Sequence, residues 1–375
     1  MCNTKRRKYR ALMIAYDLSI ANGVSSYIMN YYHKINHTLI DIDFALFNDA
    51  ETPYYDDIRK HGGKVFFIPS VKNIKEHMEA CRNIIKNGQY DIIHDNILLP
   101  SLFILYFSKK YNVPVRILHS HSSKLSNTKR KAIRNKLLLP LLLRNANYYI
   151  ACSKTAGNCL FSNKKYAIIP NIISVFKYKF NDISRRLIRK KSNNNGKIII
   201  GSVGRLAVEK NPIFAIRTIL EFAKNNTSVE YWWIGDGELQ TQVVNYIKEH
   251  DTNHIVKLLG NRTDVADLYQ AMDLFFLPSQ FEGLPVTALE AQASGLPCLV
   301  SDTVSDEFVY TDLVTFFSLN DDIPKITNII RFLLSKKYDR SVYGQKLQES
   351  RFSDSNAGAN LLQLYREMLE KENHN

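Results

Sequence analysis

The sequence predicts an α/β protein of two domains, each an open sheet of parallel strands covered by helices. Two observations carry this prediction. Short apolar segments of strand length alternate with segments of helical spacing, and the whole alternation occurs twice along the 375 residues. A polar, charged stretch at residues 180–197 separates the two runs. Strand–helix alternation is typical of parallel sheets, in which ligands bind beyond the carboxyl ends of the strands. Two facing domains of this kind would form their site in the cleft between them.

The first run begins with a short apolar strand after a basic leader, and its strands are rich in Ile, Val, Leu and Phe, as buried parallel strands are. Apolar residues three and four apart predict the helices between them, and Pro140 should interrupt the last of these. The predicted strands are residues 11–16, 40–47, 64–68, 90–94, 115–119, 148–152 and 167–169, and the predicted helices are 24–34, 74–86, 102–110 and 132–144.

The second run repeats the pattern after the polar stretch, which we interpret as a linker flanked by a helix. Asn211 is suited to cap the helix that Pro212 begins. The predicted strands are residues 198–203, 229–234, 255–258, 274–277 and 298–301, and the predicted helices are 212–224, 239–248, 265–271, 286–293, 323–334 and 356–371. The expected domains are therefore residues 1–180 and 181–355, followed by a C-terminal helical segment at 356–375.

Charge is distributed unevenly between the two halves. The chain has 50 Lys and Arg against 36 Asp and Glu, a formal net charge of +14. Residues 1–196 carry 33 basic and 12 acidic side chains, a net charge of +21, whereas residues 197–375 carry 17 and 24, a net charge of −7. A basic half suits nucleic acid, an anionic membrane surface or a phosphorylated substrate. Alternatively, the excess of basic residues reflects a composition rich in Lys and Asn that favours solubility, without a bound partner.

The five cysteines and the hydropathy pattern indicate a cytoplasmic protein. No two cysteines have C-x-x-C spacing, so the thiols are expected to be reduced, as in a cytosol. The first apolar run ends at Asp17 and is too short for a signal peptide. No stretch approaches the roughly 20 apolar residues that span a bilayer. We therefore expect a cytoplasmic protein that is at most peripheral to a membrane.

A cationic loop follows the first strand of the second run. Gly204, Arg205 and Lys210 lie between the strand at 198–203 and the helix that begins at Pro212. Two fixed cations at the carboxyl end of a strand suit a diphosphate, whose negative charge grows as it leaves. The alternative is an Arg and a Lys on an ordinary solvated loop.

Two glutamates accompany a second loop. Glu282 lies in the segment Phe281–Pro285, just before a predicted helix, and Glu290 lies inside that helix among apolar neighbours. Gly283 permits close approach of a ligand, and the helix begins with unpaired N–H groups. Carboxylates accept hydrogen bonds from hydroxyls, so one glutamate could hold a hexose and the other a ribose. Beside the cationic loop, both are expected to be ionised. The alternative for Glu290 is a solvated helix residue, but a carboxylate in such a helix is costly without a partner.

Two weaker signals are a glycine turn and a group of histidines. The turn Gly235, Asp236 and Gly237 follows a strand, but it does not form G-x-G-x-x-G, which argues against a nicotinamide or flavin enzyme. His119 and His121 end a strand in the basic half, where no Asp or Glu occurs between residues 96 and 181. A metal site is therefore not expected. These histidines could polarise an acceptor hydroxyl, or they could be core histidines satisfied by the backbone.

Taken together, these motifs resemble glycosyltransferase family 4. The resemblance runs nearly end to end and is carried by GRLAVEKNP, GDGEL, GNRTDV, IPNII and PSQFEGLPVTALEAQASGLPCLVSD, while RILHSHSS and NGVSSYIMNYY resemble the branch that builds exopolysaccharides and capsular polysaccharides. Two positions depart from the family pattern. Asn22 stands before Gly23 in place of a second glycine, and Ile172 replaces the glycine after IPN.

The resemblance implies a GT-B fold, in which two Rossmann-like domains face each other across a cleft and the C-terminal helix crosses back to the N-terminal, acceptor-binding domain. It also implies a retaining transferase of a hexose from a nucleoside diphosphate sugar, with no metal and no other cofactor. Reacting groups would be His119, Glu282, Arg205 and Lys210. Donor-binding residues would be Gly23, Gly204, Arg205, Lys210, Gly235, Asp236, Gly237, Arg262, Glu282, Gly283, Leu284, Pro285 and Glu290.

On this basis we expect a hexosyltransferase that uses a nucleotide-sugar, UDP-linked by expectation, and a lipid-diphosphate-linked saccharide in surface polysaccharide synthesis. The acceptor and an anionic membrane surface would be contacted by Asn22, His121, Lys129, Arg130, Lys131 and Arg134, on the inner face of the plasma membrane. The alternative for the leucines beside this basic cluster is a buried helix face. Two other functions stay open: a nucleotide-sugar epimerase on the same fold, and a nucleic-acid-binding protein, against which stands the lack of a recognisable nucleic-acid module.

Overall fold

The computed structural model describes residues 7–19, 23–49, 52–122, 129–194, 196–226 and 228–374. The chain divides into two compact units. The first unit comprises Met1–Asn171 together with Asn356–Asn375, and the second comprises Ile172–Ser355.

A parallel sheet of seven strands forms the centre of the first unit. The strands are β1 (Tyr9–Ala15), β2 (Ile40–Leu46), β3 (Val65–Phe67), β4 (Ile92–Asp95), β5 (Val115–Ser120), β6 (Tyr148–Ala151) and β7 (Ala167–Ile168). Their spatial order is β3-β2-β1-β4-β5-β6-β7. The order reverses between β1 and β4, and this is the position where open α/β sheets bind ligands at the carboxyl ends of their strands.

Helices cover both faces of this sheet in the described part of the first unit. They are α1 (Gly23–Tyr32), α2 (Tyr54–Lys60), α3 (Ile74–Gly88), α4 (Leu102–Lys110), α5 (Lys129–Asn145), α6 (Lys154–Phe161) and the last helix of the chain, which spans Ala357–Asn373. The last helix packs tightly on the rest of the unit. A side chain at Gly358 would collide with the carbonyl of Lys34, and the hydroxyl of Tyr148 donates to the carbonyl of Met368 at 3.1 Å.

The second unit has a six-stranded parallel sheet of the same design. Its strands are β8 (Ile198–Val203), β9 (Val229–Ile234), β10 (Val256–Leu258), β11 (Leu274–Leu277), β12 (Cys298–Ser301) and β13 (Val314–Phe317), in the order β10-β9-β8-β11-β12-β13. The reversal between β8 and β11 places the loops after these two strands side by side. Large buried side chains such as Trp233, Phe222 and Phe276 fill the space between sheet and helices.

The helices of the second unit are α7 (Val175–Tyr178), α8 (Asp182–Lys191), α9 (Pro212–Ala223), α10 (Gln240–His250), α11 (Val265–Ala271), α12 (Val286–Ala293), α13 (Ile323–Ser335) and α14 (Tyr343–Gln348), so that the last helix of the chain is α15. Asn211 does occupy the N-cap position of α9, but it has a left-handed backbone with φ of 56°, and its side chain makes no cap hydrogen bond.

The polar stretch at 180–197 is not an open linker. Most of it forms α8, and Arg185 and Arg189 on that helix each bind Asp273 at 2.5 Å. The same two guanidiniums donate to the carbonyls at the end of α11. The stretch is polar because its arginines bind the C-terminal end of another helix, where unpaired carbonyls accumulate.

The border between the compact units also differs from the expected border at 180/181. The second unit begins at Ile172, which is 1% exposed. The backbone of Ile173 bonds to that of Phe352 at 2.8 Å, and Phe180 lies under the guanidinium of Arg340 at 4.4 Å. These contacts hold residues 172–180 in the second unit.

Pro140 does not interrupt α5, which continues from Lys129 to Asn145. The missing N–H of a proline removes one helical hydrogen bond, and Pro140 lies on the exposed side of the helix, where water can satisfy the carbonyl left over. No helix within the described ranges is both long enough and apolar enough to cross a membrane.

Candidate functional site

The loops after β8 and β11 are joined by an ion pair at the reversal of the second sheet. Lys210 lies after β8 and Glu282 after β11, and their Nζ and Oε1 atoms are 2.5 Å apart. The hydroxyl of Ser279 donates to the same carboxylate oxygen at 2.7 Å. The N–H of Gln280 also donates to the carbonyl of Glu209 at 2.7 Å. Two residues that the sequence predicted for one site are therefore in direct contact.

The second cation of the cationic loop also has a carboxylate partner. Arg205 binds Glu209 at 2.8 Å; Glu209 is 9% exposed, whereas half of the Arg205 side chain is exposed. Each cation thus lies beside one glutamate at the carboxyl end of β8. An incoming anion would compete with these carboxylates for the two cations. Glu209 was not among the expected site residues, and the local signal for this pairing is its position four residues after Arg205.

The glycine turn after β9 supports this loop through the backbone. A Cβ at Gly237 would lie 2.5 Å from the carbonyl oxygen of Leu206, and one at Gly235 would collide with the carbonyl of Gly204. The N–H of Leu206 donates to the carbonyl of Asp236 at 3.0 Å. Glycine is needed here because two backbones approach closely, and the turn fixes the loop that carries Arg205.

Asp236 and Arg262 lie farther along the same edge and have their own partners. The carboxylate of Asp236 accepts the N–H of Asn261 at 3.1 Å. Arg262 holds Asp264 through two hydrogen bonds of 2.8 and 2.7 Å. The predicted donor-binding residue Arg262 is therefore an exposed, locally paired guanidinium, and Asp236 positions the next loop.

Glu290 lies in α12, which begins at Val286 directly after Pro285. Burial raises the pKa of this carboxyl to about 7, against the opposing effect of hydrogen bonds from Tyr178 and Tyr269. The hydroxyl of Tyr269 is 3.1 Å from Glu290 Oε2. Because burial raises its pKa to about 7, Glu290 is only partly ionised near neutral pH, whereas the sequence led us to expect a fully ionised carboxylate.

Sequence reasoning missed three residues beside Glu290. Tyr178 and Tyr269 bond to its carboxyl, and the hydroxyl of Tyr269 also donates to the carbonyl of Thr287 at 3.0 Å. Within the described residues, the buried hydroxyl of Thr287 has no hydrogen-bond partner. No local pattern in the sequence distinguishes these side chains from core residues, since tyrosine and threonine are common there.

In the first unit, three histidines form a connected group at the carboxyl ends of β4 and β5. His94 Nε2 is 2.9 Å from His119 Nδ1, and His94 Nδ1 is 2.6 Å from the hydroxyl of Tyr365 in α15. The rings of His119 and His121 are stacked with centroids 4.0 Å apart. Tyr27 of α1 packs edge-on against His119 at 4.9 Å.

His119 is 0% exposed, and its ring nitrogen Nδ1 is paired with another histidine rather than with the backbone. His121 is more exposed, and its Nε2 is 2.9 Å from Asn96 Oδ1. Burial lowers the pKa of His94 and of His121 to about 3 and moves that of His119 in the same direction. All three rings are therefore neutral at physiological pH. Within the described residues, these histidines and the other His, Cys, Asp and Glu side chains form no group of three or more that could hold a metal ion.

The other predicted residues of the first unit lie on α1 and α5. Gly23 begins α1 and has open space where a Cβ would lie. Arg130 and Arg134 are exposed on α5. Asn22 and the side chains of Lys129 and Lys131 lie outside the described residues. Leu142 is buried, whereas Ile133, Leu137 and Leu141 are 63%, 73% and 47% exposed. The helix therefore buries one apolar face and exposes another.

Comparison with known proteins assigns both halves of the chain. Residues 21–175 match the model of Glycosyltransferase Family 4, and residues 184–349 match that of Glycosyl transferases group 1. EpsF of Bacillus subtilis, which is described as a glycosyltransferase, is 28% identical over 369 residues, covering 94% of this chain and 95% of EpsF.

Two further proteins extend the comparison. UDP-Gal:alpha-D-GlcNAc-diphosphoundecaprenol alpha-1,3-galactosyltransferase of Escherichia coli is 25% identical over 76% of this chain and 77% of its own. Among solved structures, Anabaena Alr3699/HepE, crystallised with UDP and glucose, superposes with a TM-score of 0.79 at 16% identity, covering 95% of this chain and 99% of HepE. At that identity the likeness shows the fold, which is GT-B.

Proposed function

The chain is a glycosyltransferase of family 4 that acts in polysaccharide biosynthesis, and from this premise we propose that it transfers a hexose from UDP to a lipid-diphosphate-linked saccharide with retention of configuration. The observation that carries the proposal is the Lys210–Glu282 pair at the carboxyl ends of two neighbouring strands. The E. coli relative, named for UDP-Gal and a diphosphoundecaprenol acceptor, supports the choice of donor and acceptor.

The residues around this pair suit a leaving diphosphate. Arg205 and Lys210 would bind the phosphates, displacing the carboxylates that bind them without ligand. The amino end of α12 lies beside the same loop and favours negative charge. As the bond between the anomeric carbon and the phosphate oxygen breaks, these groups stabilise the growing charge. No metal is required in this scheme, because the two cations supply the positive charge.

The acceptor hydroxyl attacks from the side of the leaving group. A new bond forms between its oxygen and the anomeric carbon, and its proton passes to the phosphate oxygen that has just been released. Attack on the same face keeps the anomeric configuration. Once Lys210 binds the phosphates, Glu282 would still be held by the hydroxyl of Ser279 and would orient hydroxyls of the donor sugar. Glu290 would accept hydrogen bonds from the ribose.

Nucleotide-sugar binding should release a proton from Glu290. The carboxyl has a pKa of about 7 without ligand, and ribose hydroxyls would stabilise the ionised form and lower that pKa. Affinity should therefore be constant above pH 7 and fall by up to about tenfold for each pH unit below it. Calorimetry with UDP-glucose in two buffers of different ionisation enthalpy measures the proton release.

UDP-glucose is the right probe for this test because UDP itself has a terminal phosphate that titrates near pH 6. The control is Glu290→Gln, which keeps the shape of the side chain but cannot titrate. It should bind the donor more weakly and without proton release. Equal proton release by both proteins would remove Glu290 from the ribose site.

We also propose that α5 docks on an anionic membrane at the cytoplasmic face, where the lipid-linked acceptor would lie. Ile133, Leu137 and Leu141 are spaced four residues apart and form an exposed apolar stripe. Arg130 and Arg134 lie on the same helix and are also exposed. An apolar stripe beside arginines is typical of helices that lie in the surface of an anionic bilayer.

Replacing Leu137 with Gln should weaken binding to vesicles that contain phosphatidylglycerol by about tenfold, since burial of one leucine contributes about 1.5 kcal/mol. Flotation of vesicles measures the bound fraction. The matched control is Leu187→Gln, which removes a leucine that is 61% exposed on the basic helix α8. Equal losses in the two variants, or equal binding to vesicles without anionic lipid, would contradict docking through α5.

A further inference from the structure

The buried histidine group contains a hydrogen-bond chain that begins at the C-terminal helix. The hydroxyl of Tyr365 meets His94 Nδ1 at 2.6 Å, and His94 Nε2 meets His119 Nδ1 at 2.9 Å. The three side chains are each 0% exposed. Within the described residues, the far end of the chain, His119 Nε2, has no hydrogen-bond partner. This series of hydrogen bonds therefore connects α15 to a buried polar atom that none of the described residues satisfies.

The number of unsatisfied polar groups decides which atom donates in each of these two hydrogen bonds. Each neutral imidazole carries one ring proton. If Tyr365 donates to His94, then His94 donates from Nε2 to His119 Nδ1, and only the N–H at His119 Nε2 is left over. If Tyr365 accepts instead, its own O–H and the lone pair at His119 Nε2 are both left over. A buried unsatisfied polar group is costly, so the first arrangement is the more stable one.

The position of the ring proton on the neighbouring His121 is set by Asn96 and serves as a reference for that on His119. The amide nitrogen of Asn96 donates to the carbonyls of Ile14 and His94, each at 3.2 Å. Its carbonyl oxygen therefore faces His121 Nε2 at 2.9 Å and accepts a hydrogen bond from the N–H at that atom. His121 thus carries its proton on Nε2 and presents a lone pair on Nδ1, independently of Tyr365.

We propose that Tyr365 is a positioning residue, which acts through His94 to place the proton of His119 on Nε2, where it can be donated to an oxygen of the reacting sugar. The inference rests on the proposed function, which assigns His119 to the sugar. It gives α15 a chemical role in addition to its packing on α1. An oxygen of a bound sugar would accept a hydrogen bond from the N–H at His119 Nε2, which the Tyr365–His94–His119 series leaves unsatisfied.

The test combines spectra with rates. Two-bond ¹H–¹⁵N spectra of protein labelled in histidine distinguish a proton on Nδ1 from one on Nε2. In the wild type, His94, His119 and His121 should all carry the proton on Nε2. Tyr365→Phe keeps the aromatic ring but removes the donor, and it should change the signals of His94 and His119 while those of His121 stay unchanged.

The matched control is Tyr148→Phe. Its hydroxyl bonds to the same helix, at Met368 and Glu372, without reaching the histidines. Tyr365→Phe should lower kcat by about three- to tenfold, as the loss of one hydrogen bond does, with an unchanged KM for the nucleotide-sugar. Tyr148→Phe should change neither kcat nor the histidine signals.

Two results would overturn the inference: a wild-type His119 with its proton on Nδ1, or the same change in spectra and rates in both variants, which would indicate a merely structural role for both hydroxyls. The spectra are recorded without substrate. A wild-type protein that transfers no sugar would therefore contradict the proposed function, while the spectra would still decide the position of the proton.

Discussion

Replacing Lys210 with alanine is expected to lower kcat for hexose transfer by about 10²–10³-fold, the loss typical of removing one group that stabilises developing charge. Lys210 lies at the carboxyl end of β8, with Nζ 2.5 Å from Glu282, and only 17% of its side chain is exposed. A fixed cation in such a site stabilises the leaving diphosphate far more than it stabilises the bound donor. The loss should therefore fall on kcat rather than on donor affinity.

Single-turnover rates with saturating UDP-hexose measure this effect. The matched control is Lys224→Ala, because Lys224 also pairs with a glutamate, Glu221 at 2.7 Å, but is 69% exposed on the same unit. Its rate should equal that of the wild type. The double variant Lys210→Ala/Glu282→Gln removes the unpaired carboxylate as well and should still be slow. A Lys210→Ala rate within threefold of the wild type would contradict the role of Lys210.

Replacing Arg340 with methionine is expected to destabilise the second unit by about 3–5 kcal/mol, the cost of removing a charged donor that satisfies several carbonyls at once. Its guanidinium donates to the carbonyls of Tyr269, Met272 and Ser294, each at 2.9 Å. Burial lowers the pKa of Arg340 to about 9, so it stays charged at neutral pH. Methionine fills much of the space but leaves these carbonyls with fewer donors.

Scanning calorimetry should show a fall in Tm of about 10 °C for a unit of this size. Arg351→Met is the matched control, since Arg351 also donates to one carbonyl, that of Glu307 at 2.9 Å, but is exposed. It should change Tm by no more than about 2 °C. Equal shifts in the two variants would show that the carbonyl cluster does not depend on Arg340.

The fold was predictable where strands are fully buried. β8, β9 and β11 are largely buried and mostly apolar runs that are followed by loops with glycines, and such runs are hard to mistake in an alternating α/β chain. β13 was missed because it is an edge strand with an exposed and two half-exposed residues. Helix α8 was interpreted as part of a linker because its composition is polar. Composition does not show that its arginines bind carbonyls of another helix.

In the candidate site, the residues that directly follow buried strands were predictable, and their partners from distant segments were not. Arg205, Lys210 and Glu282 lie within short segments that directly follow predicted strands, so topology alone brought them together. The partners that set their chemistry are distant in sequence. Tyr269 is 21 residues from Glu290, and Tyr365 is 271 residues from His94. Pairings of this kind depend on how helices pack, and no local spacing encodes them.

Sugar transfer to a lipid-linked acceptor tests the central claim most directly. Purified protein would be incubated with a panel of labelled UDP-hexoses and a lipid-diphosphate-linked saccharide in vesicles. The account predicts a lipid product that is one hexose longer, one UDP released for each hexose transferred, and an anomeric configuration, measured by NMR, that equals that of the donor. Conversion of the UDP-hexose into another nucleotide-sugar without acceptor, or a product of inverted configuration, would contradict it.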